Sequence, residues 1–362
     1  MASSMPPRPV KGRGAPLNHE SARFNLPLRE ADGDWLDQLD AVDDGAPPLR
    51  TTVTIEHPRS IISRNSSPDL PFDQSINAYR GCEHGCIYCY ARPTHAWLDL
   101  SPGLDFESRL FAKPDAAKLL RATLRKPGYI PKVIALGTNT DPYQPIEAEH
   151  RITRSILEVC LEARNPVAIT TKSDRVLRDL DLLADMARLD LVAVALSITT
   201  LDARMARTLE PRAATPRKRL AALRALHQVG VPAHVNVSPV IPAITDHEIE
   251  ALVAAGSEAG ARSASYIPVR LPHEVAPLFR AWLDTHFPER AAKVMAIIQQ
   301  MRGGRDNDPE FGARMRGQGP WADLIRTRFR LAVKRAGLNQ HKWLLDTTSF
   351  RAPADGMQGE LF

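Results

Sequence analysis

Three cysteines lie within one short segment of the chain, GCEHGCIYCY (residues 81–90). Cys82, Cys86 and Cys89 have the spacing C-x3-C-x2-C, and no fourth cysteine lies nearby in the sequence. A loop with this spacing can curl three thiolates around one object a few ångströms across. A cubic 4Fe–4S cluster has four irons, and ferredoxins ligate all four with cysteine. Three ligands leave one iron open for a substrate or cofactor, just as a catalytic zinc site keeps one open position.

Two other interpretations of these cysteines remain open. Cys82, His84, Cys86 and Cys89 together make a Cys3His set, which zinc accepts. Structural zinc usually takes its ligands from two separated knuckles, however, and His84 lies between two cysteines at cramped one-residue spacing. Unliganded thiols are the third interpretation. The spacing favours an iron–sulfur cluster over both alternatives.

Composition and charge limit the class of protein. The chain has 362 residues, of which 43% are apolar and 25% are charged, as in a soluble globular protein. Its longest apolar run, residues 191–198, is far shorter than the ~20 residues that cross a bilayer. Its start lacks the apolar segment of a secretory signal. We therefore expect a cytoplasmic protein without membrane contact, in which clustered cysteines serve metal or redox chemistry.

The chain divides into three predicted parts. Residues 1–50 are rich in proline, glycine and charge, which predicts a mostly disordered arm with one short helix in DWLDQLDAV. Residues 51–290 are the main domain. Residues 291–362 are predicted to be a basic helical extension and a tail, and residues 302–335 carry a net charge of +5, equal to that of the whole chain. This charge is typical of a phosphate-binding face or of a solvated amphipathic helix, and we favour the helix.

Short β-branched or apolar runs alternate with helical patterns in the main domain, which predicts βα units and a parallel sheet. The predicted strands are SINAY (75–79), VIAL (133–136), VAIT (167–170), LVAVALSI (191–198), HVNVSPVI (234–241) and SYIPVRL (265–271). Among the segments between them, residues 145–164 are predicted to form one helix, and a Thr245-x-x-Glu248 capping box is predicted to begin another.

The predicted fold class is α/β, with an incomplete (β/α)6 TIM-like barrel. A closed eight-unit barrel takes ~250 residues, and only six units fit between about residues 75 and 285. An open doubly wound sheet is the alternative, although no strand here ends in a GxGxxG turn. In both architectures, ligands bind beyond the carboxyl ends of the strands.

The cysteine motif resembles that of the radical S-adenosylmethionine (SAM) superfamily, in which an aromatic residue precedes the third cysteine. A closer resemblance is to the spore photoproduct lyase group, loosely called DNA repair photolyases. This resemblance runs from about residue 51 to 275. It rests on the segments GCEHGCIYCYARPTH, GTNTDPYQPIE, TTKSD, LSITT and SPVIPAITD. Each segment lies at or just beyond the end of a predicted strand.

The resemblance implies a 4Fe–4S cluster on Cys82, Cys86 and Cys89, with SAM on the fourth iron. Reductive cleavage of SAM would then release a 5′-deoxyadenosyl radical. The resemblance also implies a nucleic-acid substrate and a reducing electron donor such as flavodoxin or ferredoxin. The predicted function is that of a radical SAM enzyme. A non-catalytic iron–sulfur electron carrier and a zinc-stabilised binding module are the alternatives.

Five residues are predicted to contact SAM. Thr140 and Asp141, in the loop after the second predicted strand, could accept hydrogen bonds from its ammonium group. The alternative is that Asp141-Pro142 turns the chain and that Pro145 with Glu147 begins a helix. The resemblance implies that Lys172 pairs with the SAM carboxylate and that Ser197 contacts the ribose or the carboxylate. It also implies that Tyr88 packs near the adenine.

Two positions bear on the reaction. Where the lyase group has a cysteine that returns a hydrogen atom to the product radical, this chain has Thr138. A threonine O–H bond is much too strong to donate a hydrogen atom readily to a carbon radical. The remaining thiol, Cys160, shares a helical stripe with Ile152 and Ile156, so it is predicted to pack in the core. We therefore expect SAM cleavage without efficient repair of spore photoproduct.

Overall fold

A computed structural model describes residues 12–18, 21, 23, 49–341 and 344–354 of the chain. Within these residues, ten strands form a seven-stranded sheet and a three-stranded sheet. The strands are β1 (Thr52–Ile55), β2 (Ile62–Arg64), β3 (Gln74–Ile76), β4 (Tyr79–Arg80), β5 (Arg109–Ala112), β6 (Ile134–Leu136), β7 (Val167–Thr171), β8 (Val192–Ser197), β9 (Ala233–Val240) and β10 (Ser263–Pro268). All six predicted strands are present, as β3 and β6 to β10. The helix predicted in DWLDQLDAV lies outside the described residues.

The larger sheet has the order β10-β9-β8-β7-β6-β3-β2. Strands β3 and β6 to β10 are parallel, and β2 pairs with β3 in the antiparallel direction at one edge. Each new parallel strand is added on the same side of the preceding one. A doubly wound sheet would reverse its direction at a switch point, and this strand order has no such reversal. The chain therefore has an α/β fold with a parallel sheet that advances in one direction.

Twelve α-helices occur within the described residues. They are α1 (Asp105–Ser108), α2 (Ala116–Leu124), α3 (Glu147–His150), α4 (Ile152–Ala163), α5 (Leu180–Ala187), α6 (Ala203–Leu209), α7 (Pro216–Gln228), α8 (Ile249–Glu258), α9 (Val275–His286), α10 (Pro288–Met301), α11 (Ala313–Arg316) and α12 (Gly319–Arg335). Short 3-10 helices occupy Arg92–Leu98, Asp174–Asp179 and Asp246–Glu248. No helix in the described part of the chain is both long and apolar enough to span a membrane.

Two helix predictions are wrong in detail. The helix predicted over 145–164 is broken at Arg151, which has a φ of 50°, because the Glu147 carboxylate accepts hydrogen bonds from the N–H of Thr153 and turns the chain there. The predicted capping box is also absent. Thr245 Oγ1 instead accepts the N–H of Ile241 at 3.0 Å, and the Glu248 carboxylate accepts hydrogen bonds from the loop after β8.

The strands of the larger sheet bury alternate side chains, as a period of two requires. In β7, β8 and β9, the side chains of one face are fully buried and those of the other face are mostly half-buried. The buried face carries Val, Ile and Leu residues that join the helices in the main core. The other face, which we call the inner face, carries small or polar residues such as Ala168, Thr170, His234 and Asn236. The inner face therefore differs from the buried face in the smaller size and greater polarity of its side chains.

The smaller sheet and the C-terminal helices complete the architecture. The smaller sheet has the order β1-β5-β4, and β4 ends directly before the cysteine segment. Helix α12 contributes Ile325, Phe329 and Ala332 to the same core as the strands of the larger sheet. The predicted domain boundary at residues 290 and 291 lies within α10, and the division into domains stays a prediction.

Candidate cofactor site

The cysteine loop begins where β4 ends. Gly81 has a φ of +74°, and a Cβ at this position would lie 2.8 Å from the carbonyl oxygen of Phe106, so glycine fits the turn and a larger residue does not. The N–H of Cys82 donates to the same carbonyl at 2.9 Å, and the N–H of Cys89 donates to the carbonyl of Cys86 at 3.2 Å. These turns hold the three cysteines in one coiled loop.

The thiols of this loop lie in a confined space. Cys82 and Cys86 are buried and Cys89 is partly buried. Burial raises the pKa of Cys86 to about 12, and the ammonium group of Lys172 opposes that rise. Burial, the Asp141 carboxylate and the other two thiols all raise the pKa of Cys82. Because each thiolate would repel the others, the loop needs added positive charge to hold three thiolates together.

The donor set fits an iron–sulfur cluster. Thiolates are the usual protein ligands of such clusters, and their irons supply the positive charge. Among the residues that the structure describes, no three His, Cys, Asp or Glu side chains converge on a position for one metal ion. His84, the additional ligand of the zinc interpretation, directs its Nδ1 toward the carboxylate of Asp141 at 3.3 Å. The three cysteines therefore fit an iron–sulfur cluster by the chemistry of their thiolates.

A buried ion pair holds the outer side of the cysteine loop. Arg92 and Glu107 are both fully buried and pair at 2.5 Å. Arg92 also donates through Nε to the carbonyl of Cys86 at 2.9 Å and through Nη2 to the carbonyl of Gly85 at 3.1 Å. The loop is therefore fixed by a charged side chain that follows it closely in the sequence and by a carboxylate from α1.

The described part of the N-terminal arm packs against the same loop. The N–H groups of Gly14 and Ala15 donate to the carboxylate of Glu107 at 2.9 and 2.8 Å. Gly14 approaches the loop so closely that a Cβ on it would lie 1.7 Å from the carbonyl oxygen of Gly85. Residues 12–18 are thus folded onto the cysteine loop, and most of the arm predicted to be disordered lies outside the described residues.

Asp141 joins the loop after β6 to the end of β7. Its Oδ1 accepts from Thr171 Oγ1 at 2.6 Å and from the N–H of Tyr143 at 2.9 Å. Its Oδ2 accepts from the N–H of Lys172 at 2.8 Å and lies 3.3 Å from His84 Nδ1. Burial alone would raise the pKa of Asp141, but these partners outweigh burial and lower it to about 2. Asp141 thus positions Lys172, and its contact with SAM stays a prediction.

Thr140 supports the start of the cysteine loop. Its hydroxyl donates to the carbonyl of Gly81 at 2.6 Å and accepts from Gln144 Nε2 at 3.0 Å. Gln144 in turn accepts the N–H of Glu83 at 2.8 Å. The loop after β6 therefore holds the backbone on both sides of Cys82. The contact of Thr140 with SAM stays a prediction.

Tyr88 and Lys172 lie side by side. The Lys172 Nζ is 5.8 Å from the centre of the Tyr88 ring. The Tyr88 hydroxyl donates to the carboxylate of Glu210 and lies 3.2 Å from Thr199 Oγ1. Glu210 is buried and forms an ion pair with the buried Arg219. The phenol is thus anchored at its hydroxyl end, and its ring face is left toward Lys172.

The ammonium group of Lys172 is protonated at neutral pH. Burial would lower its pKa, but the nearby Cys86 and Glu210 outweigh burial and raise the pKa. Among the described residues, no carboxylate oxygen lies within ion-pair distance of Lys172 Nζ. The ammonium group therefore has a stable charge and lacks a direct carboxylate partner.

Ser197 ends β8 and is buried. Its hydroxyl accepts from Asn236 Nδ2 at 3.4 Å, and its carbonyl accepts from Arg219 Nη1 at 2.8 Å. The Asn236 Oδ1 accepts from Ser265 Oγ at 3.1 Å. Hydrogen bonds therefore cross the inner face from Ser197 of β8 to Ser265 of β10. At the Ser197 end, Arg219 also pairs with the Glu210 carboxylate beside Tyr88.

Four buried charged residues of this site were not predicted from the sequence, namely Arg92, Glu107, Glu210 and Arg219. Arg92 lies within the segment GCEHGCIYCYARPTH, so its closeness to the cysteines was a usable signal. The other three belong to no motif. Their pairing depends on contacts between separate elements, which the spacing of residues in one sequence does not reveal.

Comparisons with known proteins agree with the motif. A family model described as the Radical SAM superfamily matches residues 76–255. An uncharacterized protein of Mycobacterium tuberculosis is 37% identical over 233 residues, which make up 64% of this chain and 68% of that protein. An uncharacterized protein of Methanocaldococcus jannaschii is 32% identical over 173 residues, covering 48% of this chain and 62% of that protein.

A solved structure shares the fold. Spore photoproduct lyase complexed with dinucleoside spore photoproduct has a TM-score of 0.53 and 16% identity, with 78% of this chain and 79% of that chain covered. At this identity, the likeness is one of fold. The three-cysteine loop, the family model and the mycobacterial relative together establish the family. This chain belongs to the radical SAM superfamily of enzymes.

Proposed function

We propose that Cys82, Cys86 and Cys89 bind a 4Fe–4S cluster and that SAM binds to its fourth iron. The observation that carries this proposal is the position of the three thiols. They lie in one confined loop beside Tyr88 and Lys172, next to the carboxyl end of β7, where α/β proteins bind their ligands. When bound, the cluster and SAM supply a 5′-deoxyadenosyl radical, which is the chemistry of the cofactors themselves.

The surrounding residues bind and orient SAM in this proposal. The ammonium group of Lys172 pairs with the SAM carboxylate, because it carries a stable charge and lacks a direct carboxylate partner within the described residues. Ser197 contacts the ribose or the carboxylate, and the ring of Tyr88 packs near the adenine. Thr140 and Asp141 accept from the SAM ammonium while they hold the cysteine loop and Lys172 in place.

We infer that the six parallel strands form an incomplete (β/α)6 barrel. The strand order advances in one direction, and the inner face carries small and polar side chains. A closed barrel of eight strands fills its interior with bulky side chains, so small residues on this face favour an interior that admits a substrate. The space would lie directly beside the SAM site.

We propose nucleic acid as the substrate class. The support is the fold likeness to spore photoproduct lyase, which was solved with a dinucleoside spore photoproduct, and the excess of positive charge on this chain. A small reducing protein such as flavodoxin or ferredoxin would deliver the electron to the cluster.

Anaerobic reconstitution tests the cofactor proposal. The wild type should become brown and hold about four irons and four sulfides per chain. Cys82→Ala, Cys86→Ala and Cys89→Ala should each abolish the colour. Cys160→Ala is the matched control. Cys160 lies on α4 and is buried in the main core, so its substitution should leave the colour unchanged. Stoichiometric zinc with no uptake of iron would contradict the proposal.

Cleavage of SAM separates an enzyme from an electron carrier. With a strong reductant, the reconstituted wild type should slowly release 5′-deoxyadenosine from SAM even without substrate. A brown protein that never releases 5′-deoxyadenosine under these conditions would instead be an iron–sulfur electron carrier.

A further inference from the structure

Arg270 lies at the mouth of the cofactor site. It follows the end of β10 by two residues, and its guanidinium carbon is 5.7 Å from the centre of the Tyr90 ring. Tyr90 directly follows Cys89, has 50% of its surface exposed and donates its hydroxyl to the carbonyl of Thr138 after β6. Strands β10 and β6 are not neighbours in the sheet. The contact between Arg270 and Tyr90 therefore joins the loop after β10 to the loop after β6, and it lies next to the cysteine loop.

Within the described residues, no carboxylate lies at ion-pair distance from the guanidinium group of Arg270. Its Nη1 donates to the sulfur of Met315 at 3.2 Å, and its Nε is buried without any hydrogen-bond partner within the described residues. Arg270 is half-buried, whereas the fully buried arginines Arg92 and Arg219 pair with buried glutamates and Arg302 donates to four backbone carbonyls. Burying the Arg270 Nε without a hydrogen-bond acceptor costs free energy, which a bound anion would offset.

The surroundings of Arg270 combine a second arginine, which is paired with a carboxylate, with exposed aromatic surface. Burial and the nearby Arg314 lower the pKa of Arg270, and Tyr90 and Asp69 oppose them in part. Arg314 pairs with Asp69 at 2.6 Å and lies 4.6 Å from the centre of the Phe311 ring, which is 59% exposed. Exposed aromatic rings between arginines are typical of surfaces that bind single-stranded nucleic acid, because bases stack on the rings while arginines contact phosphates.

We propose that Arg270 binds a phosphodiester oxyanion of the substrate and that the exposed ring of Tyr90 stacks on an adjoining base. A guanidinium group presents a planar fork of donors that matches a phosphate in two-point contact. The phosphate would restore a partner to the buried Nε and would place the neighbouring nucleotide over the cysteine loop. This inference rests on the proposed function and gives its nucleic-acid substrate a defined point of attachment.

Binding of oligonucleotides by the anaerobic holoprotein tests this site. The first probe is a fluorescein-labelled single-stranded oligodeoxynucleotide, and the second has the same sequence with uncharged methylphosphonate linkages. Arg270→Gln should weaken binding of the first probe about tenfold or more. It should also reduce the slope of log affinity against log salt by about 0.7, as expected for one lost phosphate contact. Arg270→Lys should recover part of the affinity, because lysine keeps the charge and loses the fork.

Two comparisons separate a defined site from general attraction. Arg316→Gln removes an exposed arginine of α11 and should bind the first probe as the wild type does. With the uncharged probe, the wild type and Arg270→Gln should bind equally weakly. An equal loss in Arg316→Gln, or no loss in Arg270→Gln, would overturn the proposal.

The affinity for SAM is measured in the same variants, since the SAM carboxylate is the other source of an oxyanion at this mouth. If Arg270→Gln loses SAM affinity and keeps oligonucleotide affinity, the anion is that carboxylate and the proposal is wrong. A wild type that binds no oligonucleotide also overturns it. Release of 5′-deoxyadenosine by the wild type is scored separately, so failure of this site is distinguishable from failure of the proposed function.

Discussion

Charged side chains near the cysteine loop fall into two groups, which differ in whether their charge is matched within the protein. Glu210 pairs with Arg219, and Glu107 pairs with Arg92. Lys172 lies against the ring of Tyr88 without a carboxylate at ion-pair distance among the described residues. A matched pair fixes local structure, whereas an unmatched buried cation favours an anionic ligand. This difference makes Lys172 the residue that best separates a binding role from a structural one.

Lys172→Ala should weaken SAM binding about tenfold or more, because a charge-assisted hydrogen bond to the SAM carboxylate is lost. Its iron content should equal that of the wild type. Equilibrium dialysis of SAM against the reconstituted protein measures the effect. Lys218→Ala is the matched control, since Lys218 is exposed and lies 3.5 Å from Asp174. Equal dissociation constants for Lys172→Ala and Lys218→Ala would show that the SAM carboxylate lies elsewhere.

Asp141→Asn should lower both the thermal unfolding midpoint and the affinity for SAM. An asparagine side chain has one acceptor oxygen, so it cannot accept from both sets of donors that the Asp141 carboxylate serves. The expected loss of stability is about 1–3 kcal/mol, and iron content should be retained. Thermal unfolding and SAM dialysis on the same preparation measure the two effects. A variant with unchanged stability and unchanged SAM affinity would contradict both the positioning role and the predicted SAM contact.

Thr138 leads to a prediction about the reaction. Its hydroxyl lies 3.1–3.2 Å from the side-chain amide of Asn77, and no thiol is available at this position. Cys160 is fully buried in the core, as predicted from its helical stripe. The wild type should therefore release 5′-deoxyadenosine and yet repair spore photoproduct poorly, and Cys160→Ala should behave like the wild type. Efficient repair by the wild type that disappears in Cys160→Ala would refute this assignment.

The individual elements differ in how well the sequence predicts them. The six parallel strands were predictable, because each is a short apolar or β-branched run between helical patterns and is buried on at least one face. The strands of the smaller sheet were not predicted, since β4 has only two residues and is defined by its pairing with β5. The break at Arg151 depends on a hydrogen bond from Thr153 to Glu147. Local patterns reveal strands and helices, whereas these features depend on partners elsewhere in the chain.

The segment of residues 12–18 is the element whose role the sequence did not indicate. Its composition favours disorder, yet Gly14 packs on Gly85 and the Arg13 Nη1 donates to the carbonyl of Glu107 at 2.6 Å. The packing depends on a glycine that fits against the carbonyl of another glycine. The composition of a segment gives only its average residue content, so it cannot predict a single close contact of this kind.

Gly14→Val should speed the loss of iron from the reconstituted protein severalfold. The added side chain cannot fit where a Cβ would already lie 1.7 Å from the Gly85 oxygen, so the segment must move off the cysteine loop. Release of iron to a chelator under anaerobic conditions measures the effect. Gly12→Ala is the control within the same segment, because a Cβ there meets nothing within 4 Å, so this variant carries the strain of a φ of +75° without a clash with the loop. Equal rates for the two variants would show that the segment does not protect the cluster.

At the scale of the whole molecule, the C-terminal extension is part of one structure with the sheet. Helix α12 buries Ile325 and Phe329 in the main core, and Arg328 pairs with Glu250 of α8. The amphipathic interpretation of this basic helix, which we favoured over a phosphate-binding face, agrees with this packing. The sequence could not reveal where the extension packs, because the charge count of a segment does not say which of its arginines face other helices.

Buried neutral histidines make the stability of the whole molecule depend on pH. His234 lies on the inner face, where its two ring nitrogens are each 2.7 Å from a serine hydroxyl, of Ser263 and Ser265. Burial lowers its pKa to about 4, whereas a histidine in an unfolded chain has a pKa of about 6.5. Burial likewise lowers the pKa of His95 to about 4. Between these values, the unfolded chain binds protons that the folded chain excludes, so stability falls as the pH falls from about 6.5 to about 4.

His234→Gln should therefore flatten this dependence. In the wild type, His234 alone should cost about 1–2 kcal/mol of stability between pH 7 and pH 5, which corresponds to a few degrees in the unfolding midpoint for a chain of this size. Glutamine does not titrate, so the variant should lose fewer degrees over the same interval, while His95 continues to act in both proteins. Thermal unfolding of the two proteins at a series of pH values measures the difference. Parallel curves would mean that His234 is protonated as readily in the folded chain as in the unfolded one, and that the inner face is far wetter than its burial indicates.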